Sequence, residues 1–137
     1  MSKNYEEQQV SVRVKIAGLW TSMMFLFAYV DIFSFYREDV LTGALNGTVA
    51  DFEINQTFLL LTTVFILIPS LMIFLSLVMK ARVNRIVNIV VAAMYILAII
   101  GAAVGDEWHY YLLGSVFEVA LLVVLIRYAV KWPTQKK

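Results

Sequence analysis

Residues 54–104, INQTFLLLTTVFILIPSLMIFLSLVMKARVNRIVNIVVAAMYILAIIGAAV, hold two long apolar runs on either side of a basic turn. The charged residues in this stretch are Lys80, Arg82 and Arg85, all within the turn. A helix needs about 20 apolar residues, at about 1.5 Å rise each, to cross a hydrocarbon core of roughly 30 Å. Ile54–Met79 and Ile86–Val104 both meet that length. Backbone amides in lipid find no water to bond, so lone spanning segments must be helices.

Working outward, two further runs have the same character: Ile16–Tyr36 before the pair, and Tyr110–Val130 after the polar break GDEWH. WPTQKK ends the last run. The 137 residues are 61% hydrophobic and 15% charged, against about 45–50% and about 25% in soluble domains. The expected fold is therefore all-α, an integral membrane four-helix bundle, with residues 1–137 as a single transmembrane domain. With no cysteine, a disulfide framework, an iron–sulfur cluster and a thiolate nucleophile are excluded. A single histidine, His109, argues against a metal or haem centre, and no cofactor is expected. His109 itself, beside Asp106 and Glu107, reads as an interfacial residue. Neither a Walker loop, a GxSxG elbow, an HExxH nor a Rossmann glycine pattern occurs, and no catalytic residue is assigned. Nucleic acid is not an expected partner, because topology accounts for the basic residues. The polar N-terminus MSKNYEEQQVS shows no cleavable signal peptide.

Charge sorts by side. Lys3, Arg13, Lys15, Lys80, Arg82, Arg85, Arg127, Lys131, Lys136 and Lys137 fall on the side of the two termini, and of the basic residues only Arg37 falls opposite. Glu38, Asp39, Asp51, Glu53, Asp106 and Glu107 occupy that opposite side. The positive-inside rule then predicts cytoplasmic termini. Tyr36, Trp108, Tyr110 and Tyr111 near one face, and Trp132 near the other, suit an aromatic belt. In the longest connection, Asp39–Asn46 is expected to form one short helical turn at the interface. Asn55 is the expected N-cap of the second span. Asn46-Gly47-Thr48 and Asn55-Gln56-Thr57 match the glycosylation pattern, which has no meaning in a bacterial protein.

Two acids sit inside the spans: Asp31, in the aromatic stretch FLFAYVDIFSFY of residues 25–36, and Glu118, two turns into the last span. A charge facing lipid at a helix centre costs about 2.5–3.5 kcal/mol on insertion scales. Both should therefore face the bundle interior. Trp108, Tyr111, Ser115 and Glu118 recur at helical spacing, as do Trp20, Met24, Phe27, Asp31 and Ser34 or Phe35. Both acids lie in the half away from the termini, so they meet if the first and last spans are neighbours. Two carboxylates in one dry pocket share a proton, or need a cation or a hydrogen-bonding ligand between them. The expected ligand-binding set is Asp31, Glu118, Tyr29, Tyr111 and Ser115.

A second cluster lies in ARVNRIVN, where Arg85 precedes Asn88 by three residues, Asn84 precedes it by four, and Tyr95 lies two turns deeper on the face of Asn88. Arg85 and Asn88 form a secondary candidate for an anionic headgroup or a partner helix, against simple snorkelling of Arg85. Pro69 removes a backbone hydrogen bond from the second span, and Ser70, Thr62 or Thr63 are expected to recapture freed carbonyls.

The blocks LW…YVDIFSFY, GTVADFEINQTFLLL, IPSLMIFLSLVMKARVNRIVNI and VFEVALLVVLIRYAVKWP resemble a family of small bacterial membrane proteins defined as a domain of unknown function. The resemblance covers about residues 13–133 and implies a bacterial cytoplasmic (inner) membrane location and four helices. It implies no activity. The general shape is similar to DoxX-like four-helix proteins, but none of the redox residues expected of quinone-linked members is matched. Three functions stay open: a protein that binds or transports a small cationic or proton-coupled ligand at the acids; an accessory subunit in which the acids merely pair helices; and an intramembrane enzyme on a lipid-like substrate, one carboxyl serving as general acid. The expected partners are the lipid bilayer, a small-molecule ligand and further copies of the chain, since no internal repeat supplies a second half.

Overall fold

The computed structural model describes residues 7–50 and 52–134, which form α1 (Val12–Ser34), α2 (Glu38–Leu45), β1 (Thr48–Val49), β2 (Phe52–Glu53), α3 (Gln56–Val78), α4 (Ala81–Ala103) and α5 (His109–Val130). Lys3, Asp51, Lys136 and Lys137 of the charge pattern lie outside those residues. The helices α1, α3, α4 and α5 are each long and apolar enough to cross a membrane. At 22 or 23 residues each is about 33–35 Å long. Around the bundle the order is α3, α1, α5, α4, every neighbour antiparallel, while α3 and α4 touch little despite being consecutive. One end of the bundle carries the start of α1, the end of α5 and the α3–α4 turn (the termini end). The other carries α2, the β-hairpin and the α4–α5 turn (the hairpin end).

Local chemistry sets the boundaries. Helix α1 starts at Val12 rather than Ile16, because the Ser11 hydroxyl accepts from the Val14 amide at 3.4 Å as an N-cap. Asn55 caps α3 as expected, its Oδ1 accepting from Phe58 N at 2.9 Å. The connection from α1 to α3 holds more regular structure than the one helical turn expected of it. Helix α2 makes two turns, with Glu38 and Asp39 in its first turn, where negative charge complements the helix dipole. A β-hairpin follows in the register Thr48↔Glu53 and Val49↔Phe52. Its turn starts at Ala50 with φ 46, the left-handed backbone of a primed hairpin turn.

Packing is uneven along the membrane normal. The buried residues of α1 stop at Met23, those of α3 begin only at Pro69, and those of α4 stop at Ile99. Helices α1 and α3 are thus closed on the bundle in the termini half and splayed in the hairpin half, where α4 stays buried to Ile99 and α5 keeps Gly114, Ser115 and Glu118 buried. The closed half is tied by polar side chains. Asn88 Oδ1 accepts from Trp20 Nε1 at 2.7 Å and from Ser76 Oγ at 3.2 Å. Asn88 Nδ2 donates to Asn84 Oδ1 at 2.6 Å and to Asn84 O at 2.9 Å. Asn84 Nδ2 in turn donates to Ser76 O at 2.6 Å. These four side chains are fully buried and join α1, α3 and α4. The network also caps a helix: Ser76 O is among the last carbonyls of α3, which have no partner within the helix. Its neighbour Leu77 O accepts from Arg13 NH1 at 2.8 Å, which explains how α1 tolerates a basic first turn.

Pro69 lies inside α3 and has no N–H, so the carbonyl four residues earlier, Phe65 O, loses its helical donor. That carbonyl accepts from the Tyr95 hydroxyl of α4. The expectation of a local rescue is corrected here: Ser70, Thr62 and Thr63 donate to Ile66 O, Phe58 O and Leu59 O of their own helix. None of those is the carbonyl that Pro69 frees. The Tyr95 ring also stacks on Phe65 at 4.8 Å and meets Trp20 edge-on at 6.3 Å. Tyr95→Phe keeps both ring contacts and orphans Phe65 O. It should lower the unfolding free energy by about 1 kcal/mol, read from reversible unfolding in mixed detergent micelles.

Candidate functional site

Asp31 of α1 and Glu118 of α5 line one cleft of about 80 Å³ in the splayed half of the bundle. Phe27 and Val30 of α1, Phe65 of α3, Ala98, Ile99 and Ala102 of α4 and Tyr111 of α5 complete its wall. The two helices approach closely beside the acids because α5 has a glycine there. A Cβ built on Gly114 would lie 2.6 Å from Val30 Cγ2, a separation that real side chains do not reach. Glu118, only 4% exposed, forms the floor, while Asp31 is an exposed rim residue. At roughly 10–15 Å³ for one water-sized probe, a cleft of this volume admits a small ion with a few waters or a compact headgroup. Enclosed drug-sized ligands occupy about 300–1,000 Å³.

Among the described residues, neither carboxyl has a hydrogen-bond donor or an ion-pair partner on the protein. The titratable groups on the cleft wall are Asp31, Glu118 and Tyr111, and no basic side chain is among them. Arg37, the nearest basic residue in sequence to Asp31, is committed elsewhere. It binds Asp39 through Nε at 3.1 Å and NH2 at 2.7 Å, and Asp106 through NH1 at 2.9 Å. Its guanidinium also lies 4.8 Å from the centre of the Trp108 ring, and Asp106 Oδ1 accepts from Trp108 N at 2.8 Å. The guanidinium holds the Asp39 carboxyl below the usual carboxylate range, and the two carboxylates raise the guanidinium above its ordinary value despite its partial burial. This clamp joins the start of α2 to the α4–α5 turn. Beside it, the Ser34 and Tyr110 hydroxyls bond at 3.0 Å between α1 and α5. The hairpin end is thereby latched above the cleft.

Of the five residues expected at the site, Asp31, Glu118 and Tyr111 share the cleft. Ser115 is buried one turn before Glu118 but does not line it. Tyr29 is a correction. It is 55% exposed, with its ring tilted against Phe33 at 6.1 Å. Two residues along a helix amount to a rotation of about 200°, so Tyr29 and Asp31 cannot face the same way. Arg85 and Asn88 are also separated: Asn88 is buried in the three-helix network, while Arg85 is exposed. With Asn88's oxygen and amide nitrogen both bonded inside the bundle, the pair presents no joint headgroup site. Phe27 lines the cleft, as its place in the aromatic stripe of Asp31 suggested, whereas Phe65 was not assigned to the site from sequence. Phe27 lies one turn before Asp31, which was the available signal; Phe65 comes from a different helix and carried none.

The fold and the site define a small multi-pass membrane protein, a four-helix bundle with a carboxylate cleft in its splayed half. The chain belongs to a family of unknown function (DUF6326), whose model matches residues 3–137. No curated protein and no solved structure matches it.

Proposed function

We propose that this membrane protein binds, and in an oligomer transports, a small cation in competition with protons at the Asp31–Glu118 cleft. One contrast carries the reading. The buried amides and hydroxyls of the termini half are bonded to one another in full, as helix-pairing polar groups should be. The two carboxyls of the hairpin half share a cleft and have no partner among the described residues. Polar groups that merely pair helices would resemble the first set. Unpaired carboxyls that share a cleft within a membrane span need a proton or an outside cation. The cleft is too small to enclose an isoprenoid-like chain, which weighs against an enzyme acting on such a substrate.

The reading carries a location and an assembly with it. A bacterial cytoplasmic membrane is the location the resemblance implies, and cytoplasmic termini are supported by Arg13, Lys15, Lys80, Arg82, Arg85, Arg127 and Lys131 at the termini end, set against Arg37 alone at the other. A homo-oligomer is the natural transport unit, because alternating access commonly uses two related halves and one chain has no internal repeat.

Purified protein in weakly buffered dodecyl maltoside, titrated with sodium chloride or guanidinium chloride, should release about one proton per cation bound, reported by a pH-indicator dye. The sign is set by competition. A carboxylate must be free of its proton to hold the cation, so apparent affinity should rise with pH and vanish as pH falls. Glu118→Gln should abolish proton release while the helical circular dichroism is retained. Tyr29→Phe, outside the cleft, should change nothing. Absence of proton release from folded wild-type protein with both cations, at every pH tested, would refute the proposal.

A further inference from the structure

Resting on that reading, we infer that the preferred cation is an organic ammonium ion, held by an aromatic and carboxylate cage whose open side lies between α3 and α4. The cleft pairs its two acids with three aromatic rings, Phe27, Phe65 and Tyr111, drawn from three helices. A metal ion would use oxygen ligands in number, and the described residues hold no group of three acidic, histidine or cysteine side chains able to bind one. Ring faces add little for a small, strongly hydrated ion. They attract a weakly hydrated ammonium with alkyl substituents, whose charge is spread over its methyl and methylene hydrogens. The rings have company that fixes them: Phe27 and Phe65 lie 5.9 Å apart, and Phe65 is stacked at 4.8 Å on Tyr95, which itself bonds the carbonyl that Pro69 frees.

The direction of opening suits a partly apolar ligand. At the hairpin end, Arg37 with Asp106 and Trp108, together with the Ser34–Tyr110 contact, bridges the helix ends. The α3–α4 seam is loose, and on its α4 side stand small residues: Ala98 and Ala102, both exposed, with Gly101 between them facing open space. An ammonium head can enter the 80 Å³ cleft while its hydrocarbon substituent remains between the helices, facing lipid tails. The ligand class is thus a membrane-partitioning amine or quaternary ammonium rather than a fully aqueous ion.

The test uses benzyltrimethylammonium chloride, its uncharged analogue neopentylbenzene and sodium chloride, with proton release from the detergent-solubilised full chain as readout. Benzyltrimethylammonium should release protons saturably at concentrations well below those sodium requires, and neopentylbenzene should release none. Phe65→Leu and, separately, Phe27→Leu should raise its half-saturation roughly fivefold to thirtyfold, several times more than they shift that of sodium. Two variants are used because Phe65 also supports Tyr95, and a fold defect there would shift the sodium curve too. Proton release by sodium or guanidinium but not by benzyltrimethylammonium would overturn this inference and leave the carboxylate site standing. So would a benzyltrimethylammonium curve unchanged in both variants. Failure of all cations with folded protein would overturn both.

Discussion

Asn88→Ala should destabilise the folded bundle by about 2–4 kcal/mol, while Arg85→Ala, one turn away on the same helix, should stay within about 0.5 kcal/mol. The difference follows from what each side chain touches. Removing the Asn88 amide leaves Trp20 Nε1, Ser76 Oγ and Asn84 Oδ1 without their partners, all fully buried. Each orphaned group costs about 1–3 kcal/mol in a soluble interior. Interhelical hydrogen bonds in membranes average nearer 0.6 kcal/mol, because the unfolded chain in lipid finds other partners, and the combined figure lies between those limits. Arg85 is exposed, with no hydrogen bond or ion pair among the described residues. Reversible unfolding in dodecyl maltoside and sodium dodecyl sulfate mixtures, followed by circular dichroism, reads both variants. Equal losses would mean that α4 is rotated from the orientation described.

Gly114→Ala should cost about 1–3 kcal/mol, although alanine is the better helix former by about 1 kcal/mol. The added methyl would stand 2.6 Å from Val30 Cγ2, and valine is stiff about χ1, so α1 and α5 must separate. The double variant Gly114→Ala with Val30→Ala removes the opposing methyls and should recover most of the loss. The same unfolding measurement distinguishes the two. Val30 precedes Asp31 and lines the cleft, so the single variant should also weaken cation-linked proton release. Stability unaffected by the single change would show that the helices do not approach so closely here.

The spans themselves were plain in the sequence, since runs such as Ile86–Val104 have one physical explanation. Their ends were less so. Hydropathy begins at Ile16, but the helix begins where Ser11 caps it, and Arg13 is accommodated because α3 offers it an unpaired carbonyl. The acids were legible because a carboxyl in an apolar span has few reasons to exist; the three- and four-residue stripe gave the inward direction of Glu118, whereas Asp31, expected inside, is an exposed rim residue. Tyr29 was misassigned by proximity in sequence where helical rotation decides the face. Asn84, Asn88 and Tyr95 were visible as one face of α4. Their partners Trp20, Ser76 and Phe65 O lie on other helices, and no local pattern links them. The hairpin escaped notice because its turn uses Ala50 in a conformation normally announced by asparagine or glycine. Arg37 stood out as the sole basic residue on its side, but its clamp needs Asp106, 69 residues away.

Helix α1 is pinned twice, to α4 by Trp20 on Asn88 and to α5 by Ser34 on Tyr110. Asp31 lies eleven residues beyond Trp20 on α1, about 16 Å along the axis. A swing of about 5° about the Trp20–Asn88 joint would carry that carboxyl about 1.4 Å, and the Ser34–Tyr110 and Arg37–Asp106 contacts oppose it. The spacing between the two acids is therefore set by contacts on both sides of Asp31 along α1 rather than by either one alone.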